Sequence, residues 1–172
     1  MEFELIDYYD ENGNHKGVVD KSIAHKEGLW HKSVHVWIVN DKKQILLQKR
    51  CADKKFFPNH WDCSFAGHIG AGETSLISAL REGEEELGLT IDEKELEYLF
   101  TIKEKFIWND INSNEFVDVY ILRKNIKIED LKYQKEEVEV ASYFDMDELF
   151  DNKITNLINH EEEYKLLEKK LK

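Results

Sequence analysis

The chain of 172 residues contains one proline, Pro58, and two cysteines, Cys51 and Cys63. With so little proline there is no Pro/Ser-rich linker, and no repeat or low-complexity tract divides the sequence. A single domain spanning 1–172 follows. Two cysteines are too few for the disulfide framework of a small secreted fold, so both are read as free thiols. No apolar run approaches the roughly 20 residues that cross a bilayer. The N-terminus MEFELIDYYDENG is acidic and lacks the pattern of a secretory leader, so the cytoplasm is the expected location. Basic charge is also scarce: 24 Lys and Arg face 36 Asp and Glu, a formal net charge of −12. That excludes a general nucleic-acid or anionic-membrane binder, since both partners reward basic patches. It leaves room for a small phosphorylated ligand, met by a cation or a local Lys or Arg.

What is present alternates between strand and helix patterns. Phe3–Tyr9 and Lys16–Lys21 flank a turn cluster and predict a hairpin, an N-terminal extension over 1–30. Ile23–Gly28 is expected to be one helical turn. Val34–Val39 is apolar and β-branched, a central strand, and Gln44–Lys49 its antiparallel partner. Trp61–Ala66 predicts a short strand running into Gly67. Leu96–Phe106 and Glu115–Leu122 predict strands joined by a polar loop over Trp108–Asn114. Val138–Phe144 predicts another strand, Asp145–Phe150 a short helix, and Asn156–Lys172 a C-terminal helix. Leu157, Glu161, Tyr164, Leu167 and Leu171 mark a seam on that last helix, expected to pack on its own domain. The alternation implies an α/β class and a mixed α/β sandwich.

The most informative stretch is Gly67–Leu89, GHIGAGETSLISALREGEEELGL. Its second half predicts an amphipathic helix with Thr74 as N-cap, Gly88 as C-terminal stop and Leu76, Ala79, Leu80 and Leu87 on the buried face. Glu82, Glu85 and Glu86 stand at i, i+3 and i+4, so three carboxylates converge on one part of the helix surface. They repel one another unless something positive sits among them. All-oxygen ligands suit Mg²⁺, Mn²⁺ or Ca²⁺ rather than Zn²⁺. The spacing from Gly67 through Glu73 and Arg81-Glu82 to Glu85-Glu86 and Gly88-Leu89 resembles the Nudix box, G-x5-E-x7-R-E-U-x-E-E-x-G-U with U bulky and apolar. One position departs: Gly83 stands where the bulky residue is usual.

The resemblance implies a Nudix-type α/β/α sandwich with a mixed sheet and a Mg²⁺-dependent hydrolase (Mn²⁺ substituting) acting on a diphosphate linkage. Glu82, Glu85, Glu86 and the Gly67 carbonyl would be the metal ligands, with Glu73 and Arg81 as their supporting pair. Glu82 is the first choice of general base and Glu115 the second, and a homodimer is implied. Lys49, Arg50, Lys55, Phe56, Trp61 and His68 are the candidate substrate contacts, cations for phosphates and rings for a stacking surface. They favour a nucleoside diphosphate-type small molecule.

From about Ala24 to Gly72 the chain also resembles the isopentenyl-diphosphate isomerase branch of the family. His25, His31 and His68 match histidines that bind metal or flank the site there, and Glu115 matches that branch's essential glutamate. Against isomerase chemistry stand Ala66, where the branch has a cysteine, and Ser113, where it has an acidic metal ligand. If Phe65 and Ala66 lie in one strand, Cys63 points to the opposite face from Ala66. A non-catalytic binding module of the same fold is the third reading, disfavoured because the box carboxylates are all retained.

Overall fold

The computed structural model describes residues 4–172. The elements are β1 (Leu5–Tyr9), β2 (His15–Asp20), α1 (Lys21–Glu27), β3 (Trp30–Val39), β4 (Gln44–Arg50), β5 (Trp61–Asp62), β6 (Phe65–His68), α2 (Ser75–Leu87), β7 (Leu96–Trp108), β8 (Ile111–Arg123), β9 (Val138–Asp145), α3 (Met146–Phe150) and α4 (Glu161–Leu171). Phe3, at the start of the first predicted strand, lies outside the described residues.

The sheet is organised on β3. Nearly every one of its ten residues is buried, as expected of a strand covered on both faces. One edge pairs in parallel with β8 along its whole length, Trp30 opposite Asn114 through Val39 opposite Arg123. The remaining pairings are antiparallel and shared out along the strand: Tyr8–Tyr9 of β1 meet Trp30–His31, β6 meets Ser33–Val36, and β4 meets Ile38–Val39. β3 therefore changes partner between Val36 and Ile38. There Ser64 Oγ accepts from Ile38 N and donates to Leu46 O, bridging β3 and β4 where their ladder begins.

Strand alternation divides the apolar residues between two cores. Val34, Val36 and Ile38 pack with Phe65, Ala79 and Leu87 under α2. Trp37 and Val39 pack with Val117, Val119, Leu149 and Leu167 under α3 and α4. The result is the expected three-layer α/β/α sandwich around a mixed sheet.

Helix α2 is set by its caps. Thr74 accepts from Ile77 N, and Gly88 closes the helix at φ +69°, with its N–H bonded to Glu84 O. Gly83 has a packing reason. A Cβ there would lie 3.0 Å from both Phe65 Cζ and Ile91 Cδ1, so these two side chains fill the space a bulky residue would occupy.

Several boundaries differ from expectation. The predicted Trp61–Ala66 strand is broken at Cys63-Ser64, and Cys63 packs in the same core as Ala66 rather than on the opposite face. The predicted polar loop Trp108–Asn114 is mostly strand, since β7 and β8 form a tight hairpin turning at Asn109-Asp110. Helix α1 occupies seven residues, not one turn. The C-terminal helix starts at Glu161, not Asn156. Leu157 instead forms a parallel bridge with Trp61, with Trp61 N donating to Asn156 O and Ile158 N to Trp61 O. Those backbone bonds compete with helix formation and win. The seam nonetheless packs on its own domain: Leu167 is fully buried, and Leu157, Tyr164 and Leu171 join the same core.

Helix α4 is also held by a buried polar network. Glu163 accepts from His35 Nδ1 at 2.9 Å and Trp37 Nε1 at 2.8 Å. His160, just before the helix, meets Glu104 at 2.7 Å and Asp62 at 2.8 Å. Burial opposes charge on His35, but the Glu163 carboxylate outweighs it and lifts the imidazole to about 9. His160 is raised in the same way, against its burial, by Glu104 and Asp62.

Two outcomes follow from this packing. Gly83→Leu should overpack Phe65 and Ile91 and cost about 1–3 kcal/mol, read as a lower thermal midpoint. His35 is raised above its unfolded value near 6.5, so its contribution is full below that pH and lost as pH rises through about 9. The thermal midpoint should therefore fall over that window, and fall less in His35→Gln; equal slopes would contradict the assignment.

Candidate active site

The box residues are brought together as the spacing requires. β6 delivers Gly67, a glycine-rich loop turns the chain, and α2 returns Glu82 against it. A Cβ on Gly67 would stand 2.3 Å from the Glu82 carboxyl carbon, so only glycine admits that carboxylate. Glu73 reaches back to Gly70 N at 3.1 Å and binds Arg81 at 3.1 Å, tying loop to helix. Arg81 also touches Glu82 at 2.9 Å and Glu85 at 3.4 Å. One guanidinium thus serves three carboxylates. Glu86, beyond its reach, accepts from Gln48 Nε2 at 2.9 Å and Ala66 N at 3.1 Å.

That compensation is incomplete. Burial pushes Glu82 up to about 7, opposed by Arg81 and reinforced by Glu85. Burial, then the neighbouring Glu82, pushes Glu86 up to about 8. Both groups would favour the charged form if further positive charge arrived. The donor set (carboxylates and the Gly67 backbone) and the closeness of Glu82 to Gly67 fit a hard divalent cation.

A second constellation stands beside it. β8 carries Glu115 opposite His31 of β3, while β6 places His68 opposite Ser33. His31 Nε2 and His68 Nε2 each lie 3.3 Å from Glu115 Oε1. His25 of α1 completes a group of three histidines whose ligand atoms fall within 4.8 Å of one another. His31 directs Nδ1 to Leu29 O at 2.9 Å, while its buried Nε2 has no partner of hydrogen-bond geometry. A backbone carbonyl on one ring nitrogen and an orphaned second nitrogen is the arrangement of a metal-ligating imidazole. Burial and then the two neighbouring imidazoles lower His25 to about 4, leaving it neutral and able to donate a lone pair.

Both groups open on one cavity of about 990 Å³. Arg50, Lys55, Phe56 and His68 of the expected substrate contacts line it. Lys49 and Trp61 do not. Lys49 sits on the other side of β4 from Gln48 and Arg50 and pairs with Glu139 at 3.5 Å, and Trp61 packs on Phe144 in the core. Arg50 is partly spent on Phe56 O at 2.9 Å. Ala66 and Ser113, the two departures from the isomerase pattern, also line the cavity, whereas Cys63 is fully buried in the core.

Residues that sequence reasoning missed form the far wall: His35, Asp62, Glu104 and His160. One signal was available. His31, Ser33 and His35 alternate along an otherwise apolar strand, which marks a polar stripe on one face. The partners Glu104 and His160 sit far away in sequence, on β7 and before α4, and left no such mark.

No helix is long and apolar enough to cross a membrane among the described residues. The NUDIX domain model matches residues 29–167. Nudix hydrolase 3 of Arabidopsis thaliana is 41% identical over 154 residues, covering 86% of this chain but 20% of that protein. An uncharacterized Nudix hydrolase of Clostridium acetobutylicum is 36% identical over 160 residues, covering 90% of this chain and 77% of that one. Isopentenyl-diphosphate Delta-isomerase 1 of Photorhabdus laumondii is 34% identical over 105 residues, 60% of each chain. The chain thus spans a fifth of the plant relative and well over half of the bacterial ones. In structure, DR0079 of Deinococcus radiodurans aligns with a TM-score of 0.75 at 20% identity, covering 96% of this chain and 98% of that one. With the box geometry, the sandwich and a family match over most of its length, this chain belongs to the Nudix hydrolase family.

Proposed function

We propose that the chain hydrolyses the diphosphate linkage of a nucleoside diphosphate-type small molecule, using a divalent cation (Mg²⁺, with Mn²⁺ as substitute) held by Glu82, Glu85, Glu86 and the Gly67 carbonyl. The observation that carries this is the seat of Glu82 on Gly67, with Glu86 buried one turn further on. These carboxylates are short of positive charge, and a cation-bound diphosphate supplies it. When bound, the cation would neutralise phosphate oxygens and make water a better nucleophile at neutral pH.

The chain's own groups do the rest. Glu82, seated against Gly67 beside the other carboxylates, is the first choice of base, and a bound cation would favour the charged form that accepts a proton. Glu115 is the weaker choice. Burial raises it, but His31 and His68 outweigh that and hold its carboxyl well below the usual range, so it holds a proton poorly. Arg81 and Glu73 fix the helix to the loop, a positioning role. Arg50 and Lys55 at the cavity wall can meet phosphate oxygens, and Phe56 offers a ring face. Partners are expected to be small molecules, with a homodimer as the family-based expectation and a cytoplasmic setting as the reading of the N-terminal sequence.

The histidine group with Glu115 favours a second reading, isopentenyl-diphosphate isomerase. Ala66 argues against it, because an alanine cannot donate or accept the proton that allylic isomerisation moves. The same cluster can act in hydrolysis by binding a second cation or a phosphate.

Phosphate release should be measured across nucleoside diphosphates, nucleotide sugars and prenyl diphosphates with Mg²⁺ and Mn²⁺, alongside product identification. Turnover should vanish with chelator and drop by about 10²–10³ in Glu85→Gln, with the fold intact by circular dichroism. Full activity in Glu85→Gln would overturn the ligand assignment. Formation of dimethylallyl diphosphate from isopentenyl diphosphate would overturn the choice of reaction.

A further inference from the structure

The far wall of the cavity carries polar atoms that the proposed hydrolysis does not use. β3 places Ser33 and His35 on the cavity face, two and four residues beyond His31. Ser33 is 4% exposed, and its Oγ has no hydrogen-bond partner although the residue lines the cavity. Beside it, Glu163 holds His35 Nδ1, and His160 holds Glu104 Oε2 and Asp62 Oδ1. His35, Glu104 and Asp62 are each gripped through one side-chain atom only. Among the described residues nothing hydrogen-bonds His35 Nε2, Glu104 Oε1 or Asp62 Oδ2.

The wall is thus rigid behind and open in front. Ser33 Oγ is buried without a partner, which is costly, while the free atoms of His35, Glu104 and Asp62 open on the solvent of the cavity. Water or a ligand must meet them. A hydrocarbon lying here would strip water from these atoms and return nothing. A ligand hydroxyl would instead donate to a carboxylate oxygen, a charge-assisted bond, and could share Ser33 Oγ as donor or acceptor. Two acceptors, one imidazole nitrogen and one hydroxyl suit a group bearing several hydroxyls. The apolar neighbours Phe106 and Ile158 would cover its ring carbons.

We propose that this wall is the specificity subsite for the group attached to the diphosphate, and that it selects a hydroxyl-bearing sugar-type ring over a hydrocarbon chain. This rests on the diphosphate reading above for where the phosphates lie. Ser33, His35, Asp62 and Glu104 are its contacts, and His160 and Glu163 are positioning residues behind them.

The test compares uridine diphosphate glucose with geranyl diphosphate in saturating Mg²⁺. Affinity is read by calorimetry on Glu85→Gln, which should turn over slowly, and kcat/KM on the wild-type chain. The sugar diphosphate should bind at least about 100-fold more tightly, as expected where a site must leave polar groups unpaired to accept the wrong ligand. Ser33→Ala, made in the same background, should lower the ratio of the two affinities about tenfold; its hydroxyl has no protein partner, so the thermal midpoint should hold. Equal affinities, tighter geranyl diphosphate, binding of neither, or a ratio unmoved by Ser33→Ala would each overturn the subsite. Selective binding without phosphate release by the wild-type chain would instead count against hydrolysis and leave the subsite standing.

Discussion

Glu82 lies so close to Gly67 that no side chain could stand between them, and from that contact the rest of the site follows. It fixes α2 against the end of β6, brings Glu86 onto the backbone N–H of Ala66, and leaves one arginine to serve Glu73, Glu82 and Glu85. Burial then works against the carboxylates, pushing Glu82 to about 7 and Glu86 to about 8. A fold chosen for stability alone would replace such groups with apolar ones, since a poorly compensated buried charge is costly. Their retention makes sense if an external cation and an anionic substrate complete the site together.

β3 is the element that makes this arrangement reachable. Its parallel edge with β8 carries Glu115 to His31, while its other edge is divided among β1, β6 and β4. The division lets β6 carry Gly67 to the cavity and end at His68 instead of continuing the ladder. On one face of β3 Val34, Val36 and Ile38 support α2. On the other face the first half carries His31, Ser33 and His35, and the second half carries the apolar residues under α3 and α4. One strand therefore underlies helix α2, the histidine group and the polar wall. The C-terminal segment closes that wall through His160 and Glu163, so the end of the chain belongs to the site as much as to the core.

Much of this was legible beforehand, for identifiable reasons. The box is local: its residues fall within one loop and one helix, so spacing alone brings Gly67, Glu73, Arg81 and the carboxylates together, and the caps Thr74 and Gly88 behave as their types dictate. Gly83 was not legible, because the residues that fill its space, Phe65 and Ile91, are contributed by a strand and a loop outside the helix pattern. The break at Cys63-Ser64 was missed since a serine hydroxyl bridges Ile38 N of β3 and Leu46 O of β4 there, and alternation cannot register that. Lys49 looked like a phosphate contact by charge, yet strand alternation turns it to Glu139. The polar wall depends on His160 meeting Asp62 and Glu104, pairings across 98 and 56 residues that no local pattern encodes.

Two groups of ligand atoms compete for the role of principal cation site, the carboxylates of α2 and the histidines around Glu115. Manganese binding, followed by the loss of the free-ion electron paramagnetic resonance signal, separates them directly. If the α2 carboxylates are the principal site, Glu85→Gln should weaken manganese binding by about tenfold or more, and His31→Gln should weaken it less. Manganese binding untouched by Glu85→Gln and abolished by His31→Gln would contradict the account.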